Sequence, residues 1–154
     1  MTTSWRHLPP AARAVAAAAD EAVAAASTQD TELYGNAVST LATTDQTGLA
    51  MGSATRLILE ERHPDGLDSG DIQRILTDCV RGAASWRPDV DPHVLLLLLA
   101  GALGLHDPDE QGALDPAALA EHGPLLVAFL LDGRPFAPYL AAALDEVRRA
   151  ELHD

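Results

Sequence analysis

The chain has 154 residues, 47% of them hydrophobic and 21% charged, which is long enough for one self-sufficient core and too apolar for a disordered chain. Twenty-three acidic residues against ten basic ones leave a net charge of −13, a surface that repels phosphate, so neither nucleic acid nor an anionic membrane is an expected partner. Aromatic residues make up only 4%, and alanine and leucine are abundant where strand-forming β-branched and aromatic runs are scarce. The expected fold is therefore all-α: one domain over residues 1–154, a compact bundle of about six to eight helices around one or two buried hydrophobic hub helices.

All ten basic residues are arginine, and the one adjacent pair, Arg148-Arg149, shares its segment with Asp145, Glu146 and Glu151. No basic stripe results. Near the N-terminus, RHLPPAARAVAAAADEAVAAAS has the basic start, alanine run and small residues of a secretory signal, but Asp20 and Glu21 interrupt the run. It is read as a helix from Pro10 to Ala26, with proline at its first position. A single cysteine, Cys79, cannot form an internal disulfide, so a reduced, cytoplasmic protein is expected.

After Ser27-Thr28-Gln29, Asp30 is positioned to cap a second helix in which Leu33, Ala37 and Leu41 recur at four-residue spacing. Thr44-Asp45 offers a cap for QTGLAMGSATRLILEER, which ends before the breaker His63-Pro64-Asp65-Gly66. Whether the helices at 30–43 and 45–62 are separate or fused is left open by periodicity. Leu67-Asp68-Ser69 opens a fourth helix with Ile72, Ile75, Leu76, Cys79, Val80 and Ala83 on one apolar face, closed by Arg87-Pro88.

Asp91-Pro92 then launches VLLLLLAGALGL, Val94 to Leu105, without a polar side chain. This run is too short for a membrane span, which needs about twenty apolar residues, and Gly104 with Leu105 is placed to end it in a Schellman cap. A helix apolar on all sides is expected to be buried on all sides, so Val94 to Leu103 is read as the hub, and a charge at Leu97 is expected to unfold the protein. Asp115-Pro116 caps a short helix to about Glu121, and Gly123-Pro124 is read as a restart into LLVAFLL, a second apolar run that joins the hub. Asp132-Gly133 stops it. A last helix from about Pro135 presents Phe136, Tyr139, Leu140, Ala143, Leu144 and Val147 on one side.

Motifs with chemical meaning are few. Residues 107–118, DPDEQGALDPAA, can be laid on the calcium loop of an EF-hand, with Asp107, Asp109 and Gln111 at the first, third and fifth positions and Gly112 at the sixth. The twelfth position, where a bidentate glutamate belongs, is Ala118, and Pro116 stands at the tenth, so an acidic connector is expected and calcium is not. DGLDSGDIQRIL, Asp65 to Leu76, is a helix-capping turn, because Leu67 and Leu76 stand where oxygens are needed. Glu60 and His63 form a single Glu-x-x-His, whereas a di-metal bundle needs two. His7, His93, His106, His122 and His153 have no ligand partner at helical spacing; His93 reads as a first-turn residue, and His106 and His122 read as solvated ends.

Ser39, Ser53, Ser85 and Cys79 lack a neighbouring base, and Gly101 and Gly104 lack the lysine of a phosphate loop. The spacing Gly48-x-x-x-Gly52 points to close helix packing. No catalytic, metal or cofactor residues are therefore expected. The sequence is read as a non-catalytic module that binds another protein or itself, with a homodimer expected because the two apolar runs need more cover than alanine-rich neighbours supply. The alternative is a small-molecule-binding or enzymatic helical domain with an apolar inter-helix pocket, where Tyr34, Trp86, Arg56 or His93 would supply polar contacts.

Overall fold

The computed structural model describes residues 5–44, 46–105 and 115–152. Seven α-helices are present among them: α1 Pro10–Thr28, α2 Thr31–Ala42, α3 Thr47–Arg62, α4 Ser69–Ala84, α5 Pro92–Ala102, α6 Pro116–Leu131 and α7 Ala137–Leu152. They pack on one another as an all-α bundle, and among the described residues no helix is long and apolar enough to cross a membrane.

The helix ends follow local chemistry. Pro10, Pro92 and Pro116 each stand at the first helical position, where their missing amide costs nothing. The Asp30 carboxylate accepts from the Leu33 amide at 3.1 Å, and Asp91 accepts from the His93 amide at 2.9 Å. Asp68 and Asp71 form a reciprocal capping box at the start of α4: each carboxylate accepts the other residue's backbone amide, at 2.7 and 3.1 Å. Asp115 stands at the corresponding position before α6, yet its side chain makes no cap hydrogen bond. Gly104, at φ 77°, closes α5 in a Schellman arrangement, with the Leu105 amide donating to Ala100 and the Gly104 amide to Gly101. Gln29, at φ 56°, closes α1 with the same pair of bonds.

The second and third helices are separate. Gln46 adopts φ 66°, a left-handed conformation through which a right-handed helix cannot run, and the Thr47 hydroxyl donates back to Thr44 at 2.7 Å. In α2 the buried stripe is Tyr34, Ala37 and Leu41, while Leu33, expected on that face, is 50% exposed. Tyrosine, with the larger apolar body, takes the interior position one residue on.

Two expectations about the apolar runs are corrected. The chain does not restart at Gly123-Pro124: α6 runs unbroken through both residues, with Pro124 fully buried in its interior. Interior proline costs a helix roughly 3 kcal/mol in lost hydrogen bonding and steric clash, but local propensity yields to tertiary burial, and His122 through Val127 are buried without interruption. This places α6 at the centre, packed against α1, α2, α3, α4 and α5.

α5, in contrast, is not buried on all sides. Leu95, Leu99 and Ala102 enter the core, Val94, Leu97 and Leu98 are half-buried, and Leu96 is 39% exposed. The bundle therefore has one hub helix, α6, and α5 lies against its flank and against α3 and α4. α7 turns Leu140, Ala143 and Leu144 inward and packs on α3 and α1, and Phe136, just before it, is also buried.

Candidate functional site

Because α5 covers α6 with only one of its faces, a groove of about 690 Å³ remains between α3, α5 and α6. Its walls are Leu49 and Gly52 from α3, Leu97 and Leu98 from α5, and Leu119 and Leu126 from α6. Glycine shapes the α3 wall. A methyl group at Gly48 would come within 3.3 Å of Leu119, so that glycine permits close packing, whereas one at Gly52 would meet nothing within 4 Å, so that glycine faces open space.

No Asp, Glu, Lys or Arg occurs from Thr47 to Thr55 or from Pro92 to Leu105. Three of the five large hydrophobic residues most exposed among those described, Leu49, Leu96 and Leu105, lie on these two segments.

One end of the groove is polar. Arg56 pairs with Glu60 at 2.9 Å and with Glu146 of α7, and these two carboxylates hold its guanidinium pKa above the ordinary arginine value. Glu60 and His63 both line this end, where Glu60 is engaged by arginine and His63 terminates α3. Among the described residues no group of three or more histidine, cysteine, aspartate or glutamate side chains is placed to hold a metal ion. Residues 107–114 of the calcium-like loop, with His106 and His153, lie outside the described residues.

The four residues considered for an inter-helix pocket do not converge. Arg56 lines the groove, and His93 is exposed at the start of α5. Tyr34, buried, and Trp86, half-buried, meet edge to face, ring centroids 5.2 Å apart. Their environment is a packing cluster. Arg87 lies over the Tyr34 ring at 5.1 Å and pairs with Glu121 at 2.8 Å, and the Tyr34 hydroxyl donates to the Glu121 carbonyl.

Burial drives the Tyr34 phenol far above its ordinary pKa and pushes the Cys79 thiol up to about 12, so neither is a nucleophile near neutral pH. Ser39 and Ser85 donate to carbonyls of their own helices, Gly35 at 3.0 Å and Gly82 at 3.4 Å.

His122, expected at a solvated end, is instead buried, 5% exposed. Its Nε2 accepts the Asp91 amide at 2.9 Å, and its Nδ1 donates to the Ala118 carbonyl at 2.9 Å. The signal that would have placed it inside was the continuity of α6 through Pro124, which proline conceals from a local reading. Comparison with family models, with curated proteins and with solved structures gives no match to this chain.

Proposed function

We propose that the protein is a non-catalytic interaction module that associates with a second copy of itself through the face formed by α3 and α5 around the groove. One observation carries this: in a chain of net charge −13, Thr47–Thr55 and Pro92–Leu105 border the groove without a single Asp, Glu, Lys or Arg and hold Leu49, Leu96 and Leu105. Two like-charged molecules approach each other at lowest electrostatic cost where neither presents charge, and apolar surface is what such a contact buries. A two-fold contact further requires a self-complementary patch. This face offers both a projecting leucine, Leu49, 62% exposed, and a recess beside it at Gly52.

Light scattering on the wild type, Leu49→Glu and Leu33→Glu tests the proposal. A wild-type mass near twice 16.2 kDa is expected, with Leu49→Glu near the single-chain mass. Leu33, on α2 away from the groove, serves as the control, and Leu33→Glu is expected to stay dimeric. A wild type at the single-chain mass, or a Leu49→Glu variant that remains dimeric, overturns it.

The groove's volume favours a second reading, since about 690 Å³ lies within the 300–1,000 Å³ of small-molecule sites. A monomeric wild type that brightens an apolar dye, with the brightening lost in Gly52→Leu, would select that reading.

A further inference from the structure

The segment between α4 and α5, Ser85 to Asp91, is tied to the hub helix by two polar bonds from consecutive residues of α6. Glu121 takes the Arg87 guanidinium, and His122 Nε2 accepts the Asp91 amide. The second bond dictates a protonation state. A backbone amide can only donate, so Nε2 must carry a lone pair, and Nδ1, facing the Ala118 carbonyl, must carry the proton. The ring is neutral and in the Nδ1–H tautomer.

An imidazolium would turn a second donor toward the Asp91 amide, and the bond could not persist. Asp91 is also the N-cap of α5, its carboxylate accepting the His93 amide, so this bond anchors the start of the helix that forms one wall of the groove.

Histidine is the side chain whose ordinary titration falls between about pH 5 and 8. Among the described residues, no other fully buried side chain packed against α6 changes charge there, and Asp20 on α1, its pKa raised by burial, is only partly buried. The buried faces of α1, α3 and α5 hold no titratable group. The titratable groups buried on α2 and α4 are Tyr34 and Cys79, both pushed by burial toward higher pKa and therefore neutral throughout. The remaining titratable groups at the junction are Glu121 on α6, paired with Arg87, the Asp91 carboxylate, and the solvent-exposed Asp89 and His93 on either side of Asp91.

We infer that Ser85–Asp91 is a pH-sensitive strap: a proton taken up from solvent at His122 Nε2 removes the acceptor of the Asp91 amide and frees the start of α5 from the hub helix. The closed strap binds no proton at Nε2 whereas the open one can, so its hold weakens as the pH falls. This goes beyond self-association and does not depend on what fills the groove.

The test is made on the full chain by NMR, reading the His122 ring nitrogens and the amide-exchange protection factor of Asp91 at about pH 8 and about pH 5.5. At the higher pH the Nδ1–H tautomer and a protected Asp91 amide are expected. At the lower pH the Asp91 protection factor is expected to fall by about tenfold or more, while amides in the middle of α1 and α7 keep theirs. In His122→Phe the Asp91 amide should be unprotected at both pH values; if that variant does not fold, the wild-type measurements decide. An Nε2–H tautomer at high pH, an Asp91 protection factor unchanged between the two, or an equal loss across all helices overturns the inference.

Discussion

The hydroxyl of Tyr34 donates to the carbonyl of Glu121, within the hub helix and just before Pro124. Tyr34→Phe keeps the ring and its edge contact with Trp86 but removes the hydroxyl's bond to the Glu121 carbonyl. A loss of roughly 0.5–1.5 kcal/mol in urea denaturation is expected, with no change in helical content. Cys79 should be inert to a thiol reagent at neutral pH until the chain unfolds, because burial disfavours its thiolate.

Asp20 behaves in the opposite sense to a salt-bridged carboxylate. Partial burial raises its pKa, only partly offset by the neighbouring Trp5 indole, so the folded protein holds the Asp20 proton more tightly than the unfolded chain does. Stability from this group is therefore present at low pH and lost as the pH rises through its folded pKa. Asp20→Asn should melt at a higher temperature than wild type at neutral pH, with the difference closing as the pH is lowered toward about 4.

At the scale of single elements, helix ends were the most legible feature of the sequence, because capping is local chemistry. Asp30, Asp68, Asp91 and Gly104 act where their spacing placed them. Asp68→Ala should cost about 0.5–2 kcal/mol, measured as a lower urea midpoint. Interiors were less legible. Local reading gives Pro124 the weight of a breaker, whereas five packed neighbours hold α6 helical through it.

α5 shows the converse error: uniformly apolar residues carry no information about which side faces the core. The structure divides them, and the division is testable. Leu99→Asp, at a fully buried position, should abolish the cooperative melting transition. Leu97→Asp, on the groove wall, should remain folded by circular dichroism.

For the whole molecule, the fold class followed from composition and helix punctuation, since an alanine- and leucine-rich chain with frequent caps has few alternatives to a helical bundle. The groove did not follow, because it arises from three segments separated in sequence and from the choice of α6 over α5 as hub. Polar residues picked for their chemistry, Tyr34, Trp86, Arg56 and His93, were scattered among a packing cluster, the groove and the surface. What marks the proposed binding face is an absence of charge across Thr47–Thr55 and Pro92–Leu105, a signal visible in the sequence only once the fold brings the two segments together.

The claim that this face is covered by a second copy can be read directly from the leucine methyl groups. With a soluble nitroxide added to concentrated protein, the methyl signals of Leu49, Leu96 and Leu105 should be spared, while those of Leu33 and Leu152, exposed elsewhere, should broaden. Equal broadening of all five, at a concentration where the chain has its highest measured mass, would contradict it.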